Sequence, residues 1–304
     1  MNLFKMKSRQ TAGDRILHIV FHLIMIFLAF MCVYPFLVII GSSFASQESI
    51  VNHGYRILPD PISLDAYKSI FANPTQIINA YKVTIFVTVV QTLGGLALTS
   101  TYGYVLSRKD YPYKRVLSFY IFFTMLFNGG LVPSYILISN WLGLQDSIWA
   151  LIIPGMCSAW NVLLMKGFFQ SIPTALIESA KIDGAGEFRI FMQIIMPLSK
   201  PAFATLGLLM VLGGWNAWYS SLLYITSENK VMLQYLLMKI MKNIEFMQSA
   251  EGQQLMGTVG TQIQIPSQAL RMAMCVLATG PILVVFPFFQ KYFTKGLTVG
   301  SVKG

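Results

Sequence analysis

The chain has 304 residues, of which 55% are hydrophobic and only 11% charged. Apolar runs longer than the roughly 20 residues that cross a bilayer as a helix exclude an ordinary soluble domain and point to an integral membrane protein. The formal charge of +10 does not indicate nucleic-acid binding, because the Lys and Arg residues flank the apolar runs instead of clustering with interleaved aromatics.

In chain order, Lys5, Lys7 and Arg9 precede the first apolar run, Ile16 to Gly41. That run is longer than the core of a signal peptide and lacks an A-x-A cleavage site, so it is expected to stay as an anchor. Further spans are expected over Val83 to Leu106, Val116 to Val132, Ile148 to Phe169, Ala202 to Ile225, and Leu270 to Phe293. The expected fold is all-α: a polytopic membrane protein with six transmembrane helices in one domain, 16–293, between tails 1–15 and 294–304. Pro133 is expected to end the third span, because it donates no hydrogen bond and restricts Val132 before it. His18 and His22 stand one turn apart in the first span, a spacing that can hold a metal, but no third ligand accompanies them and they read as interfacial or packed. Cys32, Cys157 and Cys275 fall inside apolar runs without CxxC spacing and read as small core residues.

Counted alternately along the chain, one side of the membrane holds fifteen basic residues: Lys5, Lys7, Arg9, Arg15, Arg108, Lys109, Lys114, Arg115, Lys166, Lys181, Arg189, Lys200, Lys291, Lys295 and Lys303. The other holds six, Arg56, Lys68, Lys82, Lys230, Lys239 and Lys242, with Arg271 at the mouth of the last span. Positive charge marks the cytosolic side, so both termini are expected in the cytosol of a multi-pass cell-membrane protein. Loops 42–82 and 226–269 then face outward, with a short external turn over Ser139 to Ser147.

The cytosolic loop 170–200 holds the densest pattern. Pro173 suits a first helical turn, and Thr174 to Ile182 reads as one short helix with Glu178 exposed. Asp183-Gly184 reads as the turn, since Gly184 tolerates a positive φ. Glu187 to Ile195 resumes helically, with Phe188, Phe191, Ile194 and Ile195 on one stripe. Pro197 is expected to stop it. Two short helices across a glycine turn, pinned between spans, make a knob suited to a groove in a cytosolic partner, although helix-turn-helix connectors are common enough for this to be a mere linker.

The residues resolve that choice. Glu178-Ser179-Ala180, then Asp183-Gly184-Ala185, Ile194 and Pro197-Leu198 resemble the EAA motif of permease subunits in binding-protein-dependent ABC importers, with Ser179 where Ala is usual. The likeness covers nearly the whole chain and is nearest to the smaller subunit of maltose-type carbohydrate permeases. Leu142-Gly143-Leu144, Trp215-Asn216, Gln290-Lys291-Tyr292-Phe293, Lys295-Gly296-Leu297-Thr298 and Gly300-Ser301-Val302-Lys303-Gly304 agree with it. The resemblance implies a type I ABC importer permease fold. It implies that Glu178, Ser179, Ala180, Asp183, Gly184, Ala185, Phe188, Ile194 and Pro197 form an ATPase-coupling surface. The long loop before the last span is similar to that of permeases for larger oligosaccharides.

No G-x-x-x-x-G-K-[ST] occurs, so ATP and Mg are expected on a separate ATPase subunit and no cofactor in this chain. The expected partners are a second permease subunit, two ATPase subunits, an extracytoplasmic solute-binding protein, a carbohydrate and membrane lipid. Within the spans, Asn128, Asn161, Trp215, Asn216, Trp218 and Tyr219 are candidates for a sugar path, because sugars offer hydroxyls to amides and C–H faces to rings. Trp215 and Asn216 are expected deep in an apolar run. The competing readings are a permease for a non-sugar solute, a membrane enzyme and a non-transporting scaffold. Asp60, Asp65, Glu228, Glu245 and Glu251 read as ordinary loop charges, and a scaffold leaves the EAA-like knob unexplained. The expected mechanism is alternating access driven by closure of the ATPase pair.

Overall fold

The computed structural model describes residues 12–72, 74–252, 254 and 267–301. Lys5, Lys7, Arg9, Lys303 and the side chains after Pro287 lie outside the described residues. The chain divides into two units, 1–72 with 261–277 and 73–260 with 278–304.

The first unit begins with α1 (Ala12–Ser43), whose side chains from Ile16 to Leu37 are exposed almost throughout. A helix apolar on every side is at rest in hydrocarbon, where its backbone bonds are satisfied internally. On α1, the His22 ring nitrogen sits 2.7 Å from the His18 carbonyl one turn back. After α1 come α2 (Gln47–His53) and α3 (Asp65–Ile70). Ser46 caps α2 by accepting from the Ser49 amide at 3.1 Å. The intervening loop lies on the end of α1: a Cβ on Gly41 would stand 2.0 Å from the Ile57 carbonyl oxygen, so only glycine fits there. Gln47 accepts from the Gln268 amide at 3.0 Å, which ties this loop to the start of the last helix.

The second unit is organised by α4 (Pro74–Ser107), a 34-residue helix. It begins nine residues before the expected Val83, which shortens the preceding loop accordingly. Gly95 and Gly103 let other chains approach closely: a Cβ on Gly95 would lie 2.9 Å from the Met156 carbonyl, and one on Gly103 3.0 Å from Met165. Small residues at such spacing replace hydrophobic collapse as the way membrane helices pack. The main neighbours of α4 are α7 (Ile148–Met156), α8 (Ala159–Gln170) and α11 (Lys200–Trp215).

Three spans are broken. Lys114–Leu126 (α5) and Leu131–Trp141 (α6) meet at 112°, α7 and α8 at 42°, and Glu187–Leu198 (α10) and α11 at 79°. With the three unbroken apolar helices Arg15–Ser43, Pro74–Ser107 and Gln268–Pro287, the described residues hold six spans when each bent pair counts as one. Pro133 does not end the third span. The break precedes it, where Gly130 takes φ 90°, and Pro133 sits in the first turn of α6, where its missing N–H has no helical partner to lose. Pro197 likewise lies inside α10, and the chain breaks at Ser199.

After α12 (Tyr219–Tyr224), the loop 226–269 contains a further helix, α13 (Leu233–Gln248). Its first amides are satisfied from other elements: Thr84 Oγ1 accepts from Leu233 at 2.8 Å and Ser221 Oγ from Met232 at 3.2 Å. The last helix, α14 (Ser267–Ser301), continues beyond the expected Phe293.

Candidate functional site

The knob has the expected boundaries, with α9 at Thr174–Ile182. Its end is a Schellman motif. Gly184 has φ 76°, its amide donates to the Lys181 carbonyl at 3.0 Å, and the Ala185 amide reaches back to Ala180 at 2.9 Å. Both alanines of the motif thereby acquire a structural reason: Ala180 is buried in the core beneath the knob and Ala185 packs against that core.

The motif divides by face. Ala180 is buried with Ile177, Ile190, Ile195, Tyr104, Met165, Phe169, Ala202 and Leu206, a core that seats the knob on α4, α8 and α11. Glu178, Ser179, Asp183 and Gly184 are exposed. Phe188 departs from expectation: it is 77% exposed, while Ile190 is fully buried. The cause is a π turn over Phe191–Ile195, closed by the Met196 amide on Phe191. One extra residue per turn aligns Ile190 with Ile195 and rotates Phe188 outward. With Ile182, 86% exposed, Phe188 gives the outer face an apolar pair. Ile194 remains half-buried and Pro197 exposed.

A ring of four charges holds the knob to α4. Arg108 Nη2 bonds Asp110 at 3.0 Å and Glu187 at 3.3 Å, while Lys181 Nζ bonds the same two carboxylates at 2.8 and 2.9 Å. Tyr104 donates its hydroxyl to the other oxygen of Glu187. The ring alternates in sign and sums to zero. The bond from Lys181 holds the Asp110 carboxyl down at about 2, against the desolvation that opposes it. None of Tyr104, Arg108, Asp110 or Glu187 was flagged by the motif, and no local pattern joins positions more than seventy residues apart.

A second tie closes the turn after α6. Asp146, at φ 55°, accepts from the Thr226 and Ser227 amides at 3.1 and 2.9 Å and from Lys230 at 2.9 Å. Hydrogen bonds from the Ser227 hydroxyl, the Ser227 amide and Lys230 depress its pKa strongly.

Two of the breaks border a cavity of about 410 Å³, lined among others by Gln91, Asn128, Ser134, Gly155, Tyr219 and Tyr224. Asn128 accepts from the Gly130 amide at 2.9 Å, which fixes the break between α5 and α6. Of the six residues expected on a sugar path, the structure brings Asn128 and Tyr219 to this cavity. Trp215 is buried, and its indole N–H donates to the Ala278 carbonyl at 2.8 Å. Asn216 is not mid-helix: it is the residue after α11, exposed, and its side-chain amide turns back to Leu212 at 2.9 Å. Trp218 is exposed and meets Tyr219 edge-on, and Asn161 is half-buried in the first turn of α8. Gln91, outside the expected path, is the one amide within Val83 to Leu106, a run where a polar side chain is expensive and therefore informative.

The long helix with small-residue contacts, the broken spans and the knob together form a pattern that comparison with known proteins places. Residues 9–299 match the family model described as "Binding-protein-dependent transport system inner membrane component". The chain belongs to this family. It is 40% identical over 291 residues to the polygalacturonan/rhamnogalacturonan transport system permease protein YtcP of Bacillus subtilis (strain 168), covering 96% of this chain and 99% of that one. The galactooligosaccharides transport system permease protein GanQ of the same organism is 30% identical, with 93% and 94% covered. Among solved structures, a bacterial ABC transporter involved in the import of the acidic polysaccharide alginate aligns at TM-score 0.77 and 30% identity, covering 96% of this chain and 100% of the matched chain. The chain is thus a membrane-embedded permease subunit of an ABC importer, all-α in fold.

Proposed function

We propose that this permease takes up a carbohydrate, in the form of an oligosaccharide, by alternating access with a second permease subunit. Its relatives named for galactooligosaccharides and for polygalacturonan or rhamnogalacturonan, and its likeness to an alginate importer, support the substrate class. In this reading an external binding protein delivers the sugar to the outer side of the membrane. ATP and Mg are bound by two ATPase subunits on the cytosolic side, where both termini also lie. This chain contributes no catalytic group.

The observation that carries the coupling role is the exposed face of the knob. Glu178, Ser179 and Asp183 with Ile182 and Phe188 present charge and apolar surface together, while the opposite face is seated on α4, α8 and α11. A connector has no need to leave Ile182 and Phe188 bare, and a groove in a partner would cover them. Because the charge ring fixes the knob to α4, movement of the docked knob is passed along that helix to the cavity.

The test is ATP-driven uptake into proteoliposomes that contain both permeases and the ATPase, with the binding protein present. Glu178→Lys and Phe188→Asp should keep membrane insertion and lose uptake together with ATPase association. Wild-type uptake with the ATPase still bound by both variants would return the knob to a connector.

A further inference from the structure

We propose that Gln91 is a substrate-binding residue, and that its cavity receives an uncharged, hydroxyl-bearing part of the sugar. This rests on the carbohydrate reading above and adds a place and a chemistry to it.

Gln91 lies halfway along α4, pressed between two glycines. A Cβ on Gly155 of α7 would stand 1.5 Å from its Nε2, and one on Gly214 of α11 3.3 Å from its Oε1. Two of the helices around α4 thus leave room for one polar side chain. Its carbonyl oxygen is nevertheless buried without a hydrogen-bond partner, and so is the Thr88 hydroxyl one turn away on the same face. Within a membrane domain an unpaired amide is costly, and Gln91 also lines a cavity. The cavity volume, about 410 Å³, falls within the roughly 300–1,000 Å³ of small-ligand pockets.

The remaining wall defines the ligand. Ser134, Ser220, Tyr219 and Tyr224 bring hydroxyls and aromatic edges, and Asn128 a second amide. Among the described residues that line the cavity there is no Lys, Arg, His, Asp or Glu. The Gln91 amide, whose nitrogen end lies beside Gly155 of the cavity wall, can exchange hydrogen bonds with a sugar hydroxyl, which both donates and accepts. A carboxylate placed there would also be desolvated without a cation. When the substrate is a uronic-acid oligomer, its carboxylates therefore face away from this wall.

The experiment uses the reconstituted four-subunit importer with its binding protein and three probes: trigalacturonate, its carboxyl-reduced galactose counterpart and maltotriose. Wild-type uptake of none of the three overturns the carbohydrate reading and the site with it. For whichever probes enter, Gln91→Leu should lower uptake at subsaturating sugar about tenfold, the loss of one hydrogen bond to substrate. The melting temperature of the purified complex should hold or rise, because an unpaired buried polar group has been removed. Gln91→Met should behave the same way, so the result does not depend on one side-chain shape. A role confined to packing gives the reverse, with stability lost or uptake untouched, and overturns the proposal. Gln91→Lys separates the chemistry: loss of all probes supports a hydroxyl site, whereas retained or raised trigalacturonate uptake with loss of the neutral sugars shows that carboxylates reach this wall.

Discussion

At Gly184 a side chain would meet no atom within 4 Å, and the backbone alone carries the constraint through φ 76°. Gly184→Ala should then destabilise the knob by about 1 kcal/mol, and Gly184→Asn by clearly less, since asparagine visits the left-handed region more readily. Thermal unfolding of the purified complex, read alongside the ratio of uptake to ATP hydrolysed, checks both; equal losses would place the cost in contacts and not in backbone strain. Trp215 offers the complementary case. Its indole N–H is committed to Ala278, so Trp215→Phe should lower stability by about 1 kcal/mol, with uptake falling in step. Selective loss of uptake at unchanged melting temperature would instead move Trp215 onto the sugar path.

Individual exposed ion pairs are weak, but the elements joined by the charge ring share a guanidinium whose side chain is only 13% exposed. Asp110→Asn or Glu187→Gln alone leaves Arg108 one carboxylate, and the double variant leaves none. The double variant should therefore lose about 1 kcal/mol more than the sum of the singles, measured as a double-mutant cycle on unfolding. Simple additivity would mean the ring is four independent surface pairs. The pH dependence follows from Asp110, whose folded pKa of about 2 lies below the ordinary 3.8. A depressed carboxylate stabilises above its unfolded pKa and loses that contribution as pH falls through the folded one. The stability gap between wild type and Asp110→Asn should stay flat from about pH 8 to 5 and close between about pH 4 and 2. Legibility in the sequence follows the same division. The bounds of α9 and the turn at Gly184 could be read because Schellman chemistry is local, whereas the third-span break, expected at Pro133, lies before it, at Gly130. The π turn that rotates Phe188 outward leaves no such sign, because one extra residue per turn is a response to packing against α4 and α8. The end of α11 before Asn216 is equally silent in a run whose apolar character continues through the break.

For the whole molecule, the basic residues divide fifteen to six between alternate segments, and the described residues hold spans enough for six crossings. An impermeant thiol label applied to intact cells should reach single cysteines at Asn52 and Ser249 and fail to reach those at Tyr113 and Asp183. The opposite pattern would invert the topology and remove the knob from any ATPase. Six crossings were legible because hydropathy survives the breaks. The cavity was only half legible, through Asn128 and Tyr219, because pairing polar residues of different spans requires knowing which faces meet.

The charge ring also bears on how the protein is made. Arg108 and Asp110 leave the ribosome 71 to 79 residues before Lys181 and Glu187, an interval of about 4 to 16 s at roughly 5–20 residues per second. Throughout that interval Arg108 has only Asp110 beside it, while Lys109 and the following Lys114 and Arg115 keep the segment strongly basic, the condition that retains a loop on the cytosolic side. Two further spans lie between that segment and Lys181 at the end of α9. Lys181 and Glu187 bring no net charge of their own, so that excess persists, and the ring can close only after the third and fourth spans have been made.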